Sequence, residues 1–195
     1  MTATSAAQRG AGVQLIAPLS GVLVPIELVP DPVFARKMVG EGISIDPLSN
    51  VLVAPIAGEV INIQPSAHAI TIRSPQGLEV LMHIGLDTVK MQGEGFTPKV
   101  VVGQDVIVGD ELIAFDMEMV AAQALSLLTQ VVITNSELIE VLTPGDPGRV
   151  TAGQDVVAEI WLKEAAVSQD VAVGGRKVTS EAILVPNPTG LHARP

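Results

Sequence analysis

The sequence predicts an all-β protein, an antiparallel sandwich or barrel carrying one or two short helices, on three observations. Hydrophobic residues make up 48% of the 195 positions while aromatics make up only 2%, so a core must be assembled from Val, Ile, Leu and Ala, a mixture weighted toward β-branched strand formers. Eighteen glycines and fourteen prolines are spread through the chain and supply turns for many short strands. Between them stand short apolar runs of strand length: "GISIDP", "NVLVAPIAGEVINI", "HAITIRS", "LEVLMHIG", "DVIVGDELIAF", "QVVIT" and "DVVAEIWL".

Taken in order, residues 1–12 lack bulky apolar anchors and read as a flexible leader. Strands begin with "VQLIAPLSGVLVPI" and continue to about Leu162. "MEMVAAQALSLL", Met117 to Leu128, contains neither Gly nor Pro and is rich in helix formers, which predicts a short helix. A second helical turn is expected in "NSELIEVL", capped by Asn135 or Ser136. "VGQDVIVGDEL" and "AGQDVVAEIWL" repeat a Gly-Gln-Asp-Val turn followed by a strand, the mark of a duplicated sheet motif. The remainder divides into a main domain over 13–163, a small, polar linker over 164–178 and a final apolar segment over 179–195. A single strand cannot bury itself, so that last segment reads as the opening of another domain.

Charge and composition exclude several functions. A net charge of −10 disfavours a nucleic-acid partner and favours a basic protein surface. With no cysteine there is neither a disulfide framework nor a thiolate metal site. No secretory h-region and no run of roughly eighteen apolar residues occurs, so cytoplasmic residence is the default expectation.

The chemistry concentrates in "HAITIRSPQGLEVLMHIG", which holds two of the three histidines. "SPQG" is a turn signal between two alternating runs. A two-residue loop of Pro75 and Gln76 closed by Ser74 and Gly77 would set Ile72 opposite Glu79, Ile70 opposite Leu81 and His68 opposite His83. Directly opposed residues have Cβ atoms about 4.5–5.5 Å apart, so the two imidazoles can touch. A lone histidine is ordinarily a satisfied structural group; a facing pair is a candidate reaction centre. It could bind a metal, work as acid and base, or use one ring as nucleophile and the other as hydrogen-bond donor. No H-E-x-x-H or nucleophile elbow supports a zinc hydrolase or a serine triad. Phosphoryl capture needs no further ligand and suits the pair best.

These residues also carry a resemblance. "IAPLSGVLVPIELVPDPVFARKMVGEGISIDP", "VLVAPIAGEV", "SAHAITI", "HIGLDTVKMQGEGF" and "TQVVITN" closely resemble the glucose-type IIA domain of the bacterial phosphoenolpyruvate-dependent sugar phosphotransferase system, over roughly Val13 to Lys163. "VPNPTGLHARP" resembles the active-site start of HPr, the phosphocarrier of the same system, as in fused IIA-HPr-enzyme I proteins. The resemblance implies a sandwich of the duplicated-hybrid-motif type. It makes His83 the phosphoryl acceptor from phospho-HPr, through Nε2, with onward transfer to a IIB domain of a membrane permease. His68 would hydrogen-bond the phosphoryl oxygens, Ser66 would orient His68, and the Gly85 carbonyl would hold His83 Nδ1. Asp87 and Asp31 would line an acidic rim, and Phe34, Val33, Leu81 and Val89 would form an apolar docking face. By themselves Ser66, Gly85 and Asp31 read as turn formers. In the HPr-like segment, His192 would be the phosphoacceptor with Arg194 beside it. No cofactor is required; an alternative is a regulatory binding protein in which zinc bridges His68, His83 and a partner carboxylate.

Overall fold

The computed structural model describes residues 12–164. The chain runs through β1 (Gly12–Ile16), β2 (Gly21–Pro25), a 3-10 turn at Ile26–Leu28, α1 (Pro32–Ala35), β3 (Glu41–Pro47), β4 (Val51–Val53), β5 (Gly58–Ile63), β6 (Ala69–Arg73) and β7 (Glu79–His83). A 3-10 turn at Thr88–Met91 leads to β8 (Phe96–Pro98), β9 (Asp105–Val106), β10 (Glu111–Phe115), α2 (Met117–Gln123) and β11 (Thr129–Ile133). A last 3-10 turn at Ser136–Leu138 precedes β12 (Ile139–Pro144), β13 (Gly148–Val150) and β14 (Val156–Leu162). The leader up to residue 11, the linker beyond 164 and the HPr-like segment lie outside the described residues.

The strands form an eight-stranded sheet ordered β13-β2-β3-β11-β7-β6-β5-β9 and two three-stranded sheets, β1-β14-β12 and β4-β10-β8. Their ladders are antiparallel, as the alternating pattern requires. Inward-facing Leu15, Ile45, Leu52, Ile70, Ile72, Val80, Met82, Ile113, Val131 and Ile160 share one aliphatic core. Both copies of the Gly-Gln-Asp-Val echo make one turn: Gln104 N–H reaches Val101 O, Gln154 N–H reaches Thr151 O, and the glycine N–H of each donates to a distant backbone carbonyl, Val60 in β5 or Ala17 just after β1.

Two expectations are corrected. The β6–β7 hairpin is shifted by one residue: Ala69 faces His83, Ile70 faces Met82 and Ile72 faces Val80. Ser74 N–H donates to Leu78 O and Gly77 N–H to Ser74 O, so the loop has three residues, with Gly77 in the left-handed region (φ 85°). Pro75 suits an ordinary type I turn, whose twist does not match a two-residue hairpin, and one extra left-handed residue restores the match.

The second correction concerns α2, which stops at Gln123 instead of reaching Leu128. Leu125 N–H donates to Leu86 O and Leu86 N–H to Ser126 O, a tertiary pairing that draws the chain out of the helix. The helical turn expected in "NSELIEVL" is present as a 3-10 turn starting after Asn135, and β12 follows it. Asn135 holds the N-cap position, but its side chain makes no cap hydrogen bond. Asn135 accepts from Glu79 N–H through Oδ1 and donates to Gly77 O, pinning the hairpin loop, while Ser136 Oγ accepts from Glu41 N–H.

Candidate active site

His83 is the last residue of β7 and His68 immediately precedes β6. In the observed ladder they are not cross-strand partners, since His68 O accepts from Ile84 N–H and His83 faces Ala69. The rings meet nonetheless: their centroids are 4.8 Å apart at 76°, edge to face. Ala67, just before His68, is left-handed (φ 53°) and closes a turn onto Gln64 O, so His68 sits where strand alternation has ended.

Each ring has one nitrogen tied to a neighbour two residues away. His83 Nδ1 lies 2.8 Å from Gly85 O. A carbonyl only accepts, so the proton is on Nδ1 and Nε2 carries the free lone pair. His68 Nδ1 lies 2.6 Å from Ser66 Oγ, a hydroxyl that can donate or accept. Donation by Ser66 puts the His68 proton on Nε2, the complementary tautomer. Burial pushes the His68 pKa down to about 4, with the neighbouring His83 adding to the effect. Burial also lowers His83, opposed by the Gly85 carbonyl and the charge of Asp31. Both rings are therefore neutral near pH 7, as a nucleophile and a neutral donor need to be.

Gly85 can present its carbonyl because it is left-handed (φ 68°) and packed closely: a Cβ there would lie 2.8 Å from Thr88 Cγ2 and 3.0 Å from Ser126 O. Thr88 Oγ1 donates to Ile84 O and steadies the same turn. On the other side, the Asp31 carboxylate accepts from Val33 N–H and caps α1, whose Pro occupies the first turn. That helix carries Phe34, whose ring centroid is 5.3 Å from that of His83. Phe34 belongs to a small cluster with Ile26, Val29, Leu86 and Val132, and Leu81 packs against it.

The expected docking face is therefore divided. Val33 (41% exposed) and Val89 (58%) stand in solvent, Leu81 is half-buried, and Phe34 is only 7% exposed because the cluster and the His83 ring cover it. Asp87 is exposed, left-handed, and paired with Lys90 at 3.0 Å. Its charge at the rim is thus partly matched by a lysine absent from the sequence reading. His192 and Arg194 lie outside the described residues.

Sequence reasoning also passed over Gln130 and Ser44. Gln130 faces His83 on one side and Ser44 on the other, in the centre of the large sheet, and both are fully buried. No local motif marks either; only the strand order brings them beside the histidine. Among the described residues no group of three His, Cys, Asp or Glu side chains converges as a metal site. A metal held by the two imidazoles would need a ligand from elsewhere.

The family model described as phosphoenolpyruvate-dependent sugar phosphotransferase system, EIIA 1, matches residues 13–139. The chain belongs to the EIIA family. It is 47% identical over 149 residues to a glucose-specific EIIA component of Halalkalibacterium halodurans, spanning 76% of this chain and 86% of that protein. It is 44% identical to the Bacillus cereus counterpart, over 76% of this chain and 90% of the relative. The solved structure of glucose permease IIA from Mycoplasma capricolum superposes with a TM-score of 0.73 at 36% identity, covering 77% of this chain and 96% of that one. As an EIIA domain the chain is a phosphotransferase component, a phosphocarrier between HPr and EIIB. The expected β-sandwich is the fold of the Mycoplasma protein.

Proposed function

We propose that His83 Nε2 is the phosphoryl acceptor of this EIIA domain, that HPr in its phosphohistidine form is the donor, and that the EIIB domain of a glucose-type permease is the recipient. The observation that carries the reading is the His83 Nδ1 to Gly85 O hydrogen bond, which leaves Nε2 unprotonated beside a second neutral imidazole. In the step, the Nε2 lone pair forms the new N–P bond as the donor's N–P bond breaks, and the donor ring keeps the leaving electron pair. His83 Nδ1 keeps its proton on Gly85 O, and His68 Nε2–H, oriented by Ser66, donates to a phosphoryl oxygen. The Asp31 and Asp87 carboxylates lie at the rim and suit a basic partner surface, with Val33 and Val89 as exposed apolar contacts.

Glucose as the sugar rests on the names of the relatives. The chemistry calls for no cofactor, and a cytoplasmic site of action follows from partners that work there. Among the described residues no helix is long and apolar enough to cross a membrane. The HPr-like segment 179–195, with His192 and Arg194, is proposed on its motif alone as a carrier of the HPr kind, the step that precedes EIIA in the relay.

The test is incubation with phosphoenolpyruvate, enzyme I and HPr, followed by mass spectrometry. An acid-labile phosphate on the peptide containing His83, absent from His83→Ala, is expected. Phosphate on His68, or none on the EIIA domain, refutes the assignment.

A further inference from the structure

The large sheet buries two polar atoms with no partner, and both lie in one row. Among the described residues, Ser44 Oγ and Gln130 Oε1 are the buried side-chain oxygens left without a hydrogen bond. Ser44, Gln130 and His83 are cross-strand neighbours on β3, β11 and β7, hence on the same face. Next to them on that face Val132 and Leu81 belong to the small apolar cluster around Phe34, while Asp46, Thr71, Glu79 and Arg73 lie farther out along the same strands. Apolar residues would avoid the desolvation of two orphaned oxygens, so a buried amide here is a departure from what stability alone selects.

The donor end of the amide shows where it acts. Gln130 Nε2 donates to Leu128 O at 2.6 Å. Leu128 N–H donates in turn to Ser126 Oγ at 3.1 Å, and Ser126 O accepts from Leu86 N–H at 2.8 Å, while Leu125 N–H donates to Leu86 O at 3.0 Å. Residues 125–130 thus brace the Gly85–Leu86 backbone, and the Ser126 carbonyl is, after Thr88 Cγ2, the atom that a Cβ on Gly85 would meet most tightly. That backbone presents the carbonyl bonded to His83 Nδ1.

We propose that Gln130 is a positioning residue for His83, its side-chain amide locking the Leu128 carbonyl and the Ser126 turn against Leu86 so that the Gly85 carbonyl stays aimed at Nδ1. This rests on His83 as phosphoryl acceptor for its consequence, but not for its geometry. The amide touches no reacting atom. It works through the backbone that selects which ring nitrogen is free to attack, and a ring whose tautomer drifts spends less time with the Nε2 lone pair exposed.

The test uses the whole chain labelled with 15N-histidine. Long-range 1H–15N spectra of wild type, Gln130→Met and Ser126→Ala read the His83 tautomer and its titration, and quench-flow with phospho-HPr reads the rate. Methionine matches glutamine in length and lacks the amide; Ser126→Ala perturbs the same brace from a half-buried position and serves if the methionine variant does not fold. Expected are a smaller Nδ1–H population at His83, a moved titration midpoint, and phosphorylation slower by roughly tenfold to a hundredfold. An unchanged tautomer and titration in the folded variant overturns the proposal, whatever happens to the rate. If wild type shows the Nδ1–H tautomer but takes no phosphate at His83, the acceptor assignment fails while the spectra still decide the role of Gln130.

Discussion

Gly85→Ala attacks the carbonyl on which the reaction geometry depends. Gly85 has a φ of 68°, a region in which a side chain costs about 1–2 kcal/mol. The new Cβ would meet Thr88 Cγ2 at 2.8 Å and Ser126 O at 3.0 Å, and the second contact is backbone held by Leu86 N–H, so relief requires the turn to move. Overpacking of that kind costs about 1–3 kcal/mol. Together the loss is about 2–5 kcal/mol, a fall in Tm on the order of 10 °C for a domain of this size. Gly109→Ala is the control: its φ is 91° and nothing lies within 4 Å, so it carries the backbone strain without the clash. Urea titration of both variants should show Gly85→Ala as the more damaging. The 15N spectrum of Gly85→Ala should show His83 losing its Nδ1–H preference. Equal destabilisation of the two variants, or an unmoved His83 spectrum, would refute the reasoning.

Ser66→Ala should cost about 1 kcal/mol and slow phosphoryl acceptance, while Ser66→Thr, which keeps the hydroxyl, should retain both stability and rate; denaturation and quench-flow measure the pair. Asp31→Ala removes the cap of α1, and urea titration should register a loss of about 1 kcal/mol. In the same variant the His83 titration should move further down, because the carboxylate that raises it is gone. Stability should also depend on His68. Its folded pKa of about 4 lies below an unfolded value of 6.5, so the unfolded chain binds more protons between the two. This contribution is complete above pH 6.5 and is lost as pH falls toward 4. Urea midpoints at pH 7.5, 5.5 and 4 should decline less steeply in His68→Asn than in wild type, and parallel declines would contradict the assignment.

Much of the architecture could be read from residue order because most elements obey local rules. The Val/Ile runs became strands, Asp116 capped the helix that "MEMVAAQ" forms, and the Gly-Gln-Asp-Val echo became a repeated turn. The misses were places where a distant partner decided. Leu86 ended α2, which propensity alone would have extended, and Asn135 was taken by Gly77 and Glu79 across the chain. The histidine pair was anticipated from a register one residue off; the rings meet because Ala67 turns the backbone, a feature with no glycine to signal it. Phe34 was assigned to an apolar docking face from motif similarity, and how far it is buried depends on how α1 folds back over Val132 and Leu86. Gln130 and Ser44 could not be found at all, since a buried glutamine in a strand acquires meaning only from what lies across the ladder.

One spectrum bears most directly on the chemistry: a phosphorus-coupled 15N spectrum of the protein phosphorylated through HPr. It should show phosphorus bonded to His83 Nε2, with Nδ1 of the same ring still carrying its proton. Phosphorus on Nδ1, or on either nitrogen of His68, would contradict the account.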